Sequence, residues 1–207
     1  MAKSDSSRRW LQRQQKDIYV KRAQQEGYRS RAAYKLLELN AKDKFLRPGM
    51  TVVDLGAAPG GWSQVAASTV GERGHVVALD ILPMDALAGV TFLQGDFHEE
   101  TVLAQLLDTL AGRPVALVLS DMSPNISGMR VVDQPRGMYL VELAWDFAQR
   151  ALKAQGSFVV KLFQGEGSDA FYLSLKPQFA SVVLRKPPAS RGESREMYVV
   201  AKGYKAR

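Results

Sequence analysis

The chain has 207 residues, a net charge of +7, and ordinary shares of hydrophobic (46%) and charged (24%) residues for one folded domain with a core. It contains no cysteine, which excludes disulfides, thiolate metal ligands and a cysteine nucleophile and fits a cytoplasmic location. There are only two histidines, and no apolar run approaches the roughly 20 residues of a membrane span. Neither a metal site nor a membrane contact is expected.

The positive charge is concentrated at the N-terminus. Residues 1–31 contain nine basic and three acidic side chains, with Trp10, Tyr19 and Tyr28 interleaved among them. This mixture suits phosphate contacts and base stacking, so we predict a basic RNA-binding arm over residues 1–28, with a helix at 10–25. A solvated arm without a ligand is the alternative. The domain proper is expected at 29–207.

Beyond the arm, the apolar pattern predicts helices and strands in alternation. Helices are expected at 31–44, 62–70, 101–111, 138–154 and 168–175, and strands at 51–55, 75–79, 90–94, 114–120, 157–162, 181–184 and 196–202. A mobile loop is expected at 126–135, and Gly156 is expected to end the long fourth helix. The pattern predicts an α/β fold with a mostly parallel seven-stranded sheet, an antiparallel C-terminal strand and helices on both faces.

A turn of small residues at 56–61 connects the first strand to a helix. Such a turn lets a ligand approach the backbone, and the free amides of the helix start favour anionic or oxygen-rich groups. The turn departs from the dinucleotide-binding pattern G-x-G-x-x-G because Ala58 replaces a glycine and Pro59 follows it. It resembles the first motif of Rossmann-like methyltransferases that use S-adenosylmethionine (SAM). By itself the turn also fits a tight connection without a ligand.

Two aspartates follow neighbouring strands at the edge where open α/β sheets bind ligands. Asp80 closes the second strand and can accept hydrogen bonds from a ribose diol, whereas Asp96 follows the third strand and can accept from an adenine amine. Both residues are also ordinary turn or helix-cap residues. His75 and His98 are more simply interpreted as structural or surface residues than as catalytic groups.

Four ionisable residues are projected to the same edge: Lys35, Asp121, Lys161 and Glu196. Methyltransferases that act on exocyclic amines usually carry Asn or Asp, two prolines and an aromatic residue after the fourth strand. Here the sequence is Asp-Met-Ser-Pro-Asn at 121–125, and carbon-5 methylation would need a cysteine. A lysine–carboxylate site remains, although each residue alone could be a surface ion-pair partner.

Such a site suits methylation of a ribose hydroxyl, which becomes a good nucleophile only when its proton is removed. We assign Lys161 as the base and Lys35 as a second cation that orients the hydroxyl. Asp121 would hold Lys161 beside the methyl donor, and Glu196 would position Lys35 or the ribose.

With these residues, the chain resembles the FtsJ/RrmJ family of RNA ribose 2′-O-methyltransferases over almost its whole length. The motifs that carry the resemblance are S-R-A-A-Y-K-L at 30–36, D-L-G-A-A-P-G-G-W at 54–62, D-M-S-P-N at 121–125, V-K-L-F at 160–163 and S-R-E-M-Y at 194–198. The resemblance implies a methyltransferase domain at 29–207 that uses SAM without a metal. It implies cofactor contacts from Gly56, Gly60, Trp62, Asp80, Asp96 and Asp121, and a catalytic set of Lys35, Asp121, Lys161 and Glu196.

The short basic arm and compact length are similar to the bacterial branch of the family. That similarity implies methylation of a uridine ribose in the aminoacyl-site loop of 23S rRNA on the large ribosomal subunit, by a monomer. A tRNA or mRNA-cap methyltransferase, and a noncatalytic RNA-binding assembly factor, are the alternatives. A nicotinamide oxidoreductase is disfavoured by Ala58 and Pro59.

Overall fold

Seven strands form one central sheet in the computed structural model, which describes residues 17–206. The strands are β1 Thr51–Leu55, β2 His75–Asp80, β3 Val90–Gln94, β4 Val115–Ser120, β5 Leu152–Phe163, β6 Phe179–Arg185 and β7 Glu196–Tyr204. Their order is β3-β2-β1-β4-β5-β7-β6, and β7 is antiparallel to both of its neighbours while the pairs from β3 to β5 are parallel. The predicted α/β sheet is confirmed.

Six helices accompany these strands within residues 17–206: α1 Ile18–Glu26, α2 Ala32–Asp43, α3 Gly61–Val70, α4 Glu100–Leu110, α5 Arg130–Ala151 and α6 Ser168–Leu175. Helices α2 and α3 pack on one face of the sheet, and α4, α5 and α6 pack on the other. Because side chains alternate along a strand, Val52 belongs to the first core and Val53 to the second. None of these helices is both long and apolar enough to span a membrane.

Helix α1 packs against the body of the domain. The Asp17 side chain accepts a hydrogen bond from the Tyr19 amide at 3.1 Å and so caps the helix. The rings of Tyr19 and Tyr28 each lie 5.4 Å from the ring of Tyr34, and Ala23 is buried beside them. The helix predicted at 10–25 is therefore present from residue 18, while 10–16 lie outside the described residues.

The segment after α1 is tied to two loops at the edge of the sheet. The Arg29 amide donates to the Gln64 side chain of α3 at 3.0 Å. Its guanidinium donates to the carbonyl oxygens of Asp85 and Ala86, both at 2.7 Å, and lies 3.4 Å from the carbonyl oxygen of Pro59. One arginine thus connects α1 with the glycine-rich turn and with the loop after β2.

The prediction of a loop over 126–135 is wrong in its second half, because α5 begins at Arg130. Pro135 lies inside the helix and removes one backbone donor. Tertiary contacts compensate, since the Gln134 amide donates to the carbonyl oxygens of Phe163 at 3.1 Å and Glu166 at 3.0 Å. These contacts join residues about 30 positions apart, so local sequence could not reveal them.

The end of α5 also differs from the prediction. The helix ends at Ala151 and β5 begins at once at Leu152, so Gly156 lies within the strand and does not end the helix. The pairing with β4 shifts between Leu152 and Ser157, and Gln155 has a positive φ of 63° there. Regular pairing runs from Ser157, opposite Leu117, and this part corresponds to the predicted strand.

Candidate active site

Four ionisable side chains from four elements lie together near the ends of β4 and β5. Lys35 is on α2, Asp121 directly follows β4, Lys161 is on β5, and Glu196 begins β7. The Lys35 Nζ atom lies 2.8 Å from Glu196 Oε1. The Lys161 Nζ atom lies 3.1 Å from Asp121 Oδ1 and donates to the Asp121 carbonyl oxygen at 2.6 Å. The fold thus brings the four residues of the sequence-derived catalytic set into two adjacent ion pairs.

Tyr198 joins the two ion pairs. Its hydroxyl accepts a hydrogen bond from Lys35 Nζ at 3.0 Å and donates one to Asp121 Oδ1 at 2.8 Å. The residue is fully buried and lies opposite Lys161 in the antiparallel pairing of β5 with β7. No role for Tyr198 is predicted from the sequence, although this residue stands two positions after Glu196 and therefore on the same face of β7.

The charges of this network are fixed by its surroundings. Burial raises the pKa of Tyr198 well above its ordinary value, and the nearby Asp121 and Glu196 carboxylates raise it further. Burial alone would raise the pKa of Asp121, but Lys161, Lys35 and the Tyr198 hydroxyl hold it below its usual value. At neutral pH the tyrosine is therefore a neutral donor and Asp121 a carboxylate, so the hydrogen-bond direction is set.

The turn at 56–61 forms a cradle beside this network. Gly56 has a φ of 76°, and a Cβ atom there would lie 2.6 Å from the Met122 Cγ atom, so only glycine fits. Because Met122 directly follows Asp121 in the chain, the cradle lies next to the network of the two ion pairs and Tyr198. Gly60, with a φ of 106°, leads into the first turn of α3, whose free amides face outward from the helix end.

Asp80 braces the cradle from β2. Its Oδ2 atom accepts from the Ala58 amide at 2.9 Å, and its Oδ1 atom accepts from the Leu82 amide at 2.8 Å. A carboxylate oxygen can accept more than one hydrogen bond, so both oxygens can also receive ligand hydroxyls.

Trp62 and Asp96, two residues of the predicted cofactor-binding set, differ in the solvent exposure of their side chains. The Trp62 side chain is buried, its indole donates to the Ala32 carbonyl at 2.8 Å, and its ring lies 5.7 Å from that of Tyr198. Any ligand contact from Trp62 would therefore use its backbone amide. Asp96 is partly exposed, and its Oδ1 atom accepts from the His98 amide at 3.0 Å and pairs with the His98 imidazole.

A buried carboxyl group that the sequence analysis did not assign lies beneath the cradle. Asp54 on β1 is completely buried, and its Oδ2 atom accepts from the Ser63 hydroxyl at 2.6 Å. Its Oδ1 atom has no hydrogen-bond partner among residues 17–206. Burial raises the pKa of Asp54 to about 7, and the charges of Asp121 and Asp80 add to this rise. Three carboxyl groups around one cradle suit a ligand with positive charge and an ammonium donor, which SAM has.

The sequence profile of the FtsJ-like methyltransferases matches residues 28–204. The chain belongs to this family. The match covers the cradle and all of the catalytic network, and it contradicts the alternative of a nicotinamide oxidoreductase.

Proteins similar to this chain over most of its length are also named as methyltransferases. The ribosomal RNA large subunit methyltransferase E of Cellvibrio japonicus is 61% identical over 204 residues, which cover 99% of this FtsJ-like methyltransferase and 97% of that protein. The protein of the same name from Alkalilimnicola ehrlichii is 62% identical over 198 residues, covering 96% and 95% of the two chains. A crystal structure of a ribosomal RNA methyltransferase from Plasmodium falciparum is similar with a TM-score of 0.79 and 30% identity, covering 87% of this chain and all of that one.

Proposed function

We propose that this FtsJ-like methyltransferase transfers the methyl group of SAM to the ribose 2′-hydroxyl of a uridine in 23S rRNA. The substrate form is the large ribosomal subunit, and the uridine lies in the aminoacyl-site loop. The observation that carries the proposal is the contact of Met122 with Gly56, which puts the Lys161–Asp121 pair directly beside the cradle. The names of relatives about 60% identical to the chain support rRNA as the substrate.

The cradle accounts for cofactor binding. SAM, when bound, supplies a methyl group on a positively charged sulfur. Asp80 would accept from the ribose hydroxyls of the cofactor, Asp96 would accept from the adenine amine, and the amides near Gly60 and Trp62 would receive its carboxylate. Asp54 supports the cradle from below, because its hydrogen bond from Ser63 holds the first turn of α3.

Lys161 acts as the proton acceptor in this proposal. An ammonium group has three N–H donors, and Lys161 directs two of them to Asp121 oxygens. When the amine is neutral, it keeps these two hydrogen bonds and its lone pair takes the third direction. A ribose hydroxyl placed there donates its proton to Nζ, which makes the oxygen nucleophilic. Asp121 then stabilises the ammonium that forms.

Lys35 and Glu196 position the substrate. Lys35 contacts Glu196 and the Tyr198 hydroxyl, which leaves its third N–H for an oxygen of the ribose. A cleft of about 400 Å³ opens on these two residues and is also lined by Arg31 and Arg191, whose guanidinium groups both pair with the Asp17 carboxylate, Arg191 being the more exposed of the two. Guanidinium groups recognise phosphates well. We therefore assign this cleft, together with the basic arm at 1–28, to the rRNA strand that flanks the target.

Mapping of ribose methylation in rRNA tests the proposal. Large subunits from cells that lack the protein are expected to lack one ribose methyl group in 23S rRNA. The purified enzyme and SAM should restore it on these subunits, and much more slowly on free 23S rRNA or tRNA. Transfer to tRNA in preference to large subunits would favour the alternative substrate, and failure to bind SAM in calorimetry would favour a noncatalytic assembly factor.

Tyr198→Phe is expected to lower kcat for methyl transfer by roughly 10- to 100-fold, because a hydrogen bond to charged partners contributes about 1.5–3 kcal/mol. The substitution removes the link between Lys35 and Asp121 without changing the packed ring. Steady-state kinetics with large subunits measures the effect. Tyr204→Phe, at another buried tyrosine of β7, is the matched control and should retain wild-type kcat. Equal rates for the two variants would contradict a role for the Tyr198 hydroxyl.

A further inference from the structure

Three large apolar side chains are exposed where the chain leaves Asp121 and enters α5. Ile126 is 64% exposed, Met129 is 62% exposed and Val131 is 88% exposed. Exposed apolar residues that cluster in a short segment are typical of contact surfaces. This cluster lies outside the cradle and the catalytic network and has no role in the steps derived above.

The segment spans the gap between the two strands that carry Asp121 and Lys161. It begins directly after Asp121 at the end of β4. It ends at the first turn of α5, where the Gln134 side chain donates to the carbonyl oxygen of Phe163 at 3.1 Å. Phe163 stands two residues after Lys161 on β5. The exposed side chains of Ile126 and Met129 therefore lie on the connection between the strand that precedes Asp121 and a helix that contacts the end of β5.

Side-chain hydrogen bonds hold the backbone of the segment at Ser127 and Gly128. The Asp133 side chain accepts from the Ser127 amide at 2.9 Å, from the Ser127 hydroxyl at 2.8 Å and from the Gly128 amide at 3.0 Å. The hydrogen bonds from Ser127 hold the pKa of Asp133 below its usual value, so the carboxylate is ionised at neutral pH. A loop whose shape exists before binding presents Ile126 and Met129 at a smaller entropic cost.

The charge around the segment fits a nucleic-acid strand better than a protein. Arg130 and Arg136, on the first turns of α5, are exposed beside the apolar cluster. Proteins that unstack nucleic-acid bases commonly combine phosphate-binding arginines with aliphatic wedges of Ile, Leu or Met. A base turned out of its stack exposes an apolar face, which such side chains can cover.

We propose that Ile126 and Met129 form a wedge that packs against the unstacked rRNA base next to the target ribose and so presents the 2′-hydroxyl to Lys161. This inference rests on the proposed function and adds the residues that would separate the target from its neighbour. Asp133 is a positioning residue for the wedge.

Kinetics with a double variant tests the wedge. Ile126→Ser with Met129→Ser is expected to lower kcat/KM for large subunits about tenfold or more, since burial of an aliphatic side chain against an apolar surface carries effects of that size. The SAM dissociation constant from calorimetry should stay within about twofold of the wild-type value, because neither residue lines the cradle. Ile126→Leu with Met129→Leu should restore most of kcat/KM. Leu173→Ser, at an exposed leucine on α6, is the matched control and should change nothing.

The outcomes separate the wedge from the reaction itself. Wild-type kcat/KM in the serine double variant, or a loss that the leucine variant does not recover, would overturn the wedge. A wild-type enzyme that is inactive on large subunits would instead refute the proposed reaction. In that case, filter binding of naked 23S rRNA tests whether the wedge contacts RNA. The serine double variant is expected to bind the RNA more weakly than Leu173→Ser does. Unchanged rRNA binding there would assign the surface to a protein partner and would also overturn the wedge.

Discussion

Lys161→Met is expected to lower kcat for methyl transfer by about 10²- to 10⁴-fold, the range typical of a positioned general base. The methionine side chain fills a similar space but can neither accept nor donate the proton. SAM binding should change little, because Asp121 keeps its hydrogen bond from Tyr198 at 2.8 Å. Single-turnover kinetics with large subunits measures the chemical step, and calorimetry measures the affinity for SAM.

Two further variants distinguish a proton acceptor from a fixed positive charge. Lys161→Arg keeps the charge but its guanidinium stays protonated, so it should be nearly as inactive as the methionine variant. Lys202→Met, at another partly buried lysine whose Nζ donates to the Asp43 carbonyl at 2.8 Å, should keep normal turnover. If Lys161→Arg retained most of the wild-type kcat, the lysine would act through its charge and the proposed proton transfer would be incorrect.

Asp54→Asn is expected to stabilise the protein above neutral pH. The pKa of Asp54 is raised to about 7 by burial, from an ordinary value of 3.8. The folded state therefore binds more protons than the unfolded state between these two values, and the stability of the wild-type protein falls as pH rises through this window. Asparagine cannot ionise, so the free energy of unfolding of the variant relative to the wild type should rise from pH 4 to pH 7. The part of this difference that depends on pH is at most about 4 kcal/mol.

Urea unfolding at pH 5 and pH 8 measures this difference, and calorimetry at pH 8 measures the affinity for SAM. Asp108→Asn, at an exposed aspartate of α4, is the control and should show the same free energy of unfolding as the wild type at both values. If the stability of Asp54→Asn relative to the wild type were no greater at pH 8 than at pH 5, Asp54 would not be held in its neutral form. A gain in relative stability combined with weaker cofactor binding would show that the buried carboxyl is kept for function at the expense of stability.

The sheet could be predicted from sequence because each of its strands is a local apolar run. Strands β1 and β4 are buried at every position; β4 is read as an almost continuous apolar segment, and β1 is mostly apolar although it includes Asp54. The start of α5 could not be predicted, since Pro135 argues against a helix there and the compensating contacts of Gln134 reach the backbone of Phe163 and Glu166, about 30 positions away. At the C-terminal end of α5, Gly156 predicted the helix terminus. The helix ends earlier, because Leu152 already pairs with Val115 of β4.

Some features of the candidate site could likewise be predicted from the sequence, and others could not. Lys161 and Asp121 follow from their positions near the ends of neighbouring parallel strands, a rule that needs no coordinates. Tyr198 was accessible to the same reasoning through its spacing from Glu196, but its partners on α2 and after β4 became clear only in the folded chain. The burial of Asp54 could be expected for a strand residue, but its unpartnered oxygen could not.

The attachment of Arg29 has a thermodynamic consequence for an enzyme with two substrates. This residue links α1 to the carbonyl groups of the 83–87 loop and to the turn that ends at Gly60. Under the proposed function, RNA bound at α1 and SAM bound at the turn would each restrict the segment that Arg29 connects. The factor by which one bound ligand changes the affinity for the second must equal the factor by which the second changes the affinity for the first, because coupling between two binding equilibria is reciprocal.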